Sequence, residues 1–351
     1  MSAAFLQLLV LMAGLGAGAA LFVGLFATPI GRAMGLLDWP DTDGGRKRHD
    51  RVTPLVGGLA VVLAVGLAAV FSLGMRGFDL ELGGPVTARH VTALGLGVGA
   101  MYLIGASDDR FHLSPVLRLL AALVVLMLVI AEAPDFGLEF LLFGGGGQLW
   151  LLGGVGAGFT LLCLLGLLNA VNMADGKNGI VIGMALIWSC VLALHVPAGV
   201  LPVLVSVAGA LAVLLWFNLT GRLFLGDGGS YALSALFGLM AIMAYNHDFA
   251  NWRAGDVALL FAVPVLDTVR LMGVRLAGRQ SPFEGDRDHL HHHLHARMGW
   301  PRGLIVYLAM VALPNLGATI LPETGWMWLA LTAALFVMVL RATAFAARPA
   351  E

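Results

Sequence analysis

Charge is what this sequence has least of. Only 12% of its 351 residues are Asp, Glu, Lys or Arg, against about 25% in a typical soluble domain. A chain so poor in charge cannot clothe a water-facing surface, which excludes an ordinary soluble globule. The charges that remain nearly cancel at −1, so there is no basic field of the kind that gathers nucleic acid. Cysteine is almost absent. Cys163 and Cys190 both sit in apolar runs, which excludes a disulfide framework. No glycine turn is followed by G-K-S/T, so there is no Walker A loop, and no H-E-x-x-H pattern marks a zinc protease. What is abundant is apolar: 59% of residues are hydrophobic, with 47 glycines among the rest. Glycine at that frequency suits membrane helices, whose backbones pack closely.

A bilayer core takes about 20 apolar residues per helix. On that scale the sequence predicts eleven spans, near 5–30, 56–75, 91–106, 115–133, 149–168, 179–197, 200–218, 229–245, 256–277, 303–321 and 325–345. The first run has no basic residue before it and is too long for a signal-peptide core, so it reads as a retained membrane helix. The expectation is an all-α polytopic membrane protein forming one integral domain over 1–351. Placing the loop after the first span in the cytoplasm puts all the Lys and Arg on that side except Arg76, Arg89 and Arg253. The positive-inside rule then predicts an outside N-terminus and an inside C-terminus.

The same topology sends the polar clusters to cytoplasmic helix ends and loops, while Gly144–Gly147 reads as a flexible outer linker. Asp108 and Asp109 stand side by side in GASDDRFHLSP. Adjacent carboxylates repel, and are useful where a metal or a proton offsets the charge; a solvated helix end is the plainer account. LLNAVNMADGKNGI sets Asn169, Asn172 and Asp175 three apart, on one helical face, before Gly176 and Gly179 break the helix. Interhelical bonding is one reading of such amides; ligand contact is favoured here, because a carboxylate and a glycine turn follow. In LTGRLFLGDGGS, Asp227 lies between glycines that let a backbone approach a phosphate, or that simply make a turn. SPFEGDRDHLHHHLHARMGW gathers His289, His291, His292, His293 and His295 beside Arg287 and Arg297. Imidazoles and guanidiniums suit a pyrophosphate; a surface amphipathic helix is the alternative. GRKRHDRVTPLVGGLA collects Arg46, Lys47 and Arg48 before a span, either as a lipid-headgroup patch or to draw an anionic substrate. Asp267 and Arg270, three apart within a span, read as a structural ion pair.

Taken in order, RKRH…PLVGG, GASDDRF, NAVNMADGKNG, GDGGS, PVLDT and SPFEGDRDHLHHH resemble the polyprenyl-phosphate N-acetylhexosamine-1-phosphate transferase family, most closely its bacterial WecA-type branch. The similarity runs from about Gly35 to Trp300. It implies that an N-acetylhexosamine 1-phosphate, GlcNAc-1-phosphate foremost, passes from a UDP-sugar to undecaprenyl or another polyprenyl phosphate and UMP is released. That is the first membrane step of a cell-envelope glycan of O-antigen, common-antigen or teichoic type. It also implies Mg²⁺ (or Mn²⁺) on Asn172 and Asp227, and Asp108, Asp109 and Asp175 as the catalytic carboxylates. Lys47, Asn169, Asn178, Arg287, His289, His291 and His292 are then the expected substrate contacts, Arg46 and Arg48 secondary ones. Asn178 and His112 depart from the Asp usual in bacterial members. Expected partners are the two substrates and the bilayer, with a homodimer as an option and no nucleic acid, in the inner membrane. Three other readings compete. A glycosidase or glycosyltransferase would break the sugar C1–O bond, and a transporter or channel would hold its polar groups near the bilayer midplane. A catalytically silent homologue would bind polyprenyl phosphate, against which stands only the presence of Asp108, Asp109, Asn172, Asp175 and Asp227.

Overall fold

In the computed structural model, residues 2–40, 51–75, 86–144, 147–279 and 288–344 are described. Among them the chain forms fourteen α-helices and two short antiparallel hairpins. It divides into two compact units, Met1–Pro134 with Pro197–Phe237, and Asp135–Val196 with Gly238–Glu351.

Along the chain, the first unit opens with α1 (Ala3–Leu25), α2 (Ala27–Met34) and a hairpin of β1 (Leu37–Asp38) with β2 (Thr53–Pro54), followed by α3 (Gly57–Met75), α4 (Ala88–Phe111) and α5 (Pro115–Glu132). The second unit begins with β3 (Phe140–Phe143), β4 (Gln148–Leu151), α6 (Gly156–Ala174) and α7 (Ile180–Leu192). The chain returns to the first unit for α8 (Leu201–Leu219) and the start of α9 (Gly226–Asp248). The second unit ends with α10 (Ala254–Leu260), α11 (Ala262–Ala277), α12 (Leu290–Met298), α13 (Arg302–Ile320) and α14 (Gly325–Ala344).

Nine of these helices are long and apolar enough to cross a membrane, and the bent pair α10–α11 makes a tenth candidate. At 1.5 Å per residue, helices of 18 to 24 residues reach roughly 27–36 Å, the thickness of a hydrocarbon core. The eleventh expected span, α7, has only 13 residues. Helices lie at all eleven expected places. The apolar count missed two local features. Residues 149–151 belong to β4, paired Phe140↔Leu151 through Phe143↔Gln148, so Gly144 and Gly147 of the expected linker flank two paired strands, while Gly145 and Gly146 lie outside the described residues. The span at 256–277 is broken at Phe261 by 75°. Pro264 has no N–H to offer the Leu260 carbonyl one turn back. That carbonyl is taken instead by the indole N–H of Trp188, at 2.8 Å, whose ring packs on Phe261.

Within the first unit α1, α3 and α8 pack on one another. A side chain at Gly16 would strike the Ser206 carbonyl, and one at Gly209 would strike the Ala13 carbonyl. The two glycines are therefore what allows α1 and α8 to cross with backbones nearly touching, the usual small-residue contact of membrane helices. Gly209→Leu should lower the unfolding midpoint in detergent by an overpacking cost of about 1–3 kcal/mol, read by a thermal-shift assay. An unchanged midpoint contradicts the close crossing.

Candidate functional site

In the first unit the site is built at a helix reversal. His112, in the left-handed region at φ 51°, ends α4 and turns its N–H back to the Asp108 carbonyl. Ser114 then caps α5 through the Leu117 N–H, with Pro115 in the first turn. The stop and restart bring Arg118, one turn into α5, against Asp108 at the end of α4. Asp108 is buried, and Arg118 holds it in a short ion pair. The same guanidinium lies 3.8 Å from Asp227.

Asp109 does something different. Its two carboxylate oxygens accept the backbone N–H groups of Asp227, at 3.1 Å, and Gly228, at 3.2 Å. These are the first N–H groups of α9, which have no intrahelical acceptor and carry the positive end of the helix dipole. Gly226, at φ 74° and pressed against the Asp109 carboxylate, makes the turn. The adjacent pair therefore splits its work: Asp108 faces a guanidinium, and Asp109 ties down the loop that presents Asp227.

These groups line a cavity of about 570 Å³. Its charged walls are Asp38, Asp108, Asp109, Asp227, Arg110 and Arg118, four carboxylates against two guanidiniums. An uncompensated negative charge in a partly desolvated site attracts a cation. Among the described residues no three His, Cys, Asp or Glu side chains form a ready-made metal cage. The donors nevertheless fit Mg²⁺, which favours carboxylate oxygens and takes its other ligands from water and substrate phosphates. Arg118, Asp38 and Trp39, which also lines the cavity, were missed in the sequence. The available signal for Arg118 was a cation placed just after a Ser-Pro helix start that follows two aspartates.

The second unit holds the amides and the histidines. Asn169 and Asn172 lie half-buried near the end of α6, and Asp175 is its C-cap. One Asn169 amide N–H donates to the Leu165 carbonyl of its own helix at 2.8 Å. Beyond the turn, the Asn178 carbonyl accepts the Trp300 indole N–H at 3.0 Å. Lys47 and Arg287, with Arg46 and Arg48, lie outside the described residues.

Asp267 is more than an ion-pair partner. It accepts the His289 ring N–H at Nδ1 (2.9 Å) and the Leu290 backbone N–H (3.2 Å), and meets Arg270 at 3.3 Å. That carboxylate fixes the start of α12, and with it the histidine run. His289, His291 and His292 form a contiguous ring series, with centroids 5.5 and 4.2 Å apart. His291 lies against Gly176, where a side chain would collide with its Nε2. Absent glycine there, the ring could not meet the end of α6. His291 is 1% exposed, and neither ring nitrogen has a hydrogen-bond partner among the described residues. Burial, and after it the neighbouring His292, His289, Lys177 and His293, push this imidazole well below its ordinary range. At Asp288 burial pulls upward, but Arg270 and His293 outweigh it and hold the carboxyl below its usual value.

Comparison with known proteins gives one family. Residues 91–245 match the family model described as Glycosyl transferase family 4. The chain is 26% identical, over 78% of its length and 74% of the relative's, to a protein of Bacillus subtilis strain 168 named probable undecaprenyl-phosphate N-acetylglucosaminyl 1-phosphate transferase. It is 28% identical to the undecaprenyl-phosphate alpha-N-acetylglucosaminyl 1-phosphate transferase of Yersinia pestis, over 87% of this chain and 83% of that one. The protein of the same name from Escherichia coli K12 is also 28% identical, over 83% and 78%.

The buried His291 gives a pH prediction. A folded-state pKa depressed below the unfolded value of about 6.5 contributes stability that is fully present above that value. The contribution is lost as pH falls through and below it, where the unfolded chain takes up a proton that the folded chain refuses. Between pH 7.5 and 5 the unfolding midpoint should therefore fall further in the wild type than in His291→Gln. Equal falls would show that the ring is not held neutral.

Proposed function

We propose that the chain, whose residues 91–245 match the glycosyl transferase family 4 model, transfers N-acetylglucosamine 1-phosphate from a UDP-sugar to undecaprenyl phosphate. The observation that carries this reading beyond the relatives' names is the cavity of Asp108, Asp109, Asp227 and Arg118. Its guanidinium and excess of hard oxygen donors suit two phosphates that must be brought together against their own repulsion.

In the proposed step an oxygen of the lipid phosphate forms a bond to the β-phosphorus of the UDP-sugar. The bond from that phosphorus to the oxygen bridging the α-phosphate breaks, and UMP leaves with the electron pair. The sugar C1–O bond is untouched. Bound Mg²⁺, which Asp227 would help to hold, would screen the phosphate charges and stabilise the departing one. Asp108, paired with Arg118, is positioned to take a proton from the lipid phosphate or to orient it. Arg118 can pass part of its charge from Asp108 to an incoming phosphate oxygen. Asp109 acts through the backbone, keeping the Asp227 turn in place. Asp175 and Asn178 are assigned to the nucleotide, and His289, His291 and His292 to the diphosphate and sugar. The neutral state of His291 limits it to hydrogen bonding rather than charge pairing. We assign this chemistry to the cytoplasmic side of the inner membrane, with the N-terminus outside, a reading that the basic-residue asymmetry supports.

Detergent-purified protein given undecaprenyl phosphate, Mg²⁺ and UDP-GlcNAc should release UMP, and only when lipid and metal are both present. UDP in place of UMP would mean that the sugar–oxygen bond is the one broken, and would refute the proposal. Asp227→Ala and Asp108→Ala should each lower turnover by at least about 10²-fold, comparable with losing one strong electrostatic contact in a catalytic site. Their elution should match the wild type, and near-normal turnover in either would remove that residue from its role.

A further inference from the structure

A second cavity, of about 540 Å³, lies wholly in the second unit between α11 and α14. On α14 its wall is made by Ala333, Phe336, Val337, Leu340 and Arg341, a spacing that sets all five on one helical face. The stripe is apolar for roughly 12 Å and ends in a guanidinium. On α11 the pattern repeats, with Leu266 and Val269 leading to Arg270. The groove is thus greasy at one end and cationic at the other, where Asp288 and His293 complete the lining. Val269 is 61% and Val337 44% exposed, so the apolar length is open to whatever surrounds the helices.

The two arginines are not equivalent. Arg270 is committed to Asp267 at 3.3 Å and Asp288 at 2.7 Å, and Asp288 is committed in turn to His293 at 2.6 Å. Arg341, exposed in the last turn of α14, has no carboxylate within ion-pair reach among the described residues. The charge left over at the polar end is therefore positive. None of the carboxylates or amides assigned above to phosphate transfer lines this groove.

We propose that this groove binds a bilayer phospholipid with an anionic phosphodiester headgroup, its phosphate on Arg341 and an acyl chain along Ala333–Leu340. Charge complementarity selects the headgroup, and the open apolar wall selects the chain. A second consequence rests on the phosphotransferase reading. Asp288 and His293 belong to the network that Arg270 and Asp267 extend to His289, so a filled groove steadies the start of α12 and turnover becomes dependent on anionic lipid. Binding itself does not rest on that reading.

The test is native mass spectrometry of the full chain, delipidated in detergent and titrated with phosphatidylglycerol or phosphatidylcholine of equal chain length. One phosphatidylglycerol should be retained in preference to phosphatidylcholine. Arg341→Gln should weaken that retention about fivefold, the effect of one basic residue near an anionic lipid. Ala333→Trp, which fills the apolar wall and leaves the charge, should weaken retention of both lipids. Equal retention of the two lipids by the wild type, or phosphatidylglycerol binding unchanged in both variants, would overturn the proposal. So would undecaprenyl phosphate displacing phosphatidylglycerol mole for mole, since the groove would then belong to the substrate. UMP release without lipid selectivity sinks this inference alone; lipid selectivity without UMP release sinks the transferase reading and leaves the lipid site standing.

Discussion

The first unit depends on accommodating several carboxylates beside an apolar helical body. A carboxylate in such surroundings is costly unless it is paired or hydrogen-bonded. Asp108 and Asp109 each have a specific counterpart. Asp108 has the Arg118 guanidinium, and Asp109 has two backbone N–H groups at the start of α9. The local architecture follows from this need. The left-handed stop at His112 and the Ser-Pro restart put Arg118 within reach, and Gly226 lets the loop turn tightly enough to offer its amides. With those donors spent, the cavity still has four carboxylates against two guanidiniums, a surplus that the proposed cation would offset.

The second unit solves the matching problem for its histidines with one carboxylate. Asp267 holds His289, caps α12 through Leu290 and meets Arg270. It can do all three because α11 is a separate segment set at an angle by Pro264, which frees the Leu260 carbonyl for Trp188. A substitution at Asp267 would therefore act on the histidines through position rather than contact. Arg270 and Asp288 extend the same network to the groove along α14, linking the histidine run to an exposed apolar surface.

Much of this was legible in the sequence, and the reasons are physical. Long apolar runs have one stable solution in a bilayer, so the eleven helical segments could be placed by length alone. Adjacent aspartates, an Asn-x-x-Asn-x-x-Asp end and clustered histidines are conspicuous because polar groups are costly there. Features that depend on geometry were not legible. Nothing in the string DDRFHLSPVLR says that Arg118 folds back onto Asp108, since that follows from the dihedrals of His112. Asp267 read as a simple partner of Arg270, because its bond to His289 spans 22 residues. The hairpin at 140–151 was hidden by glycines, and the break at Phe261 lay inside a run whose only sign was Pro264. Asn169 shows a bond that its spacing did not announce: one amide N–H is used by its own helix.

The central claim is that the carboxylates of the first unit hold a divalent cation with Asp227 as a ligand. Electron paramagnetic resonance of Mn²⁺ titrated into the detergent-purified chain, with Mg²⁺ as competitor, tests it most directly. The account predicts one Mg²⁺-displaceable Mn²⁺ per chain in the presence of the UDP-sugar, lost in Asp227→Asn while the unfolding midpoint is kept. Equal Mn²⁺ binding by wild type and Asp227→Asn would contradict it.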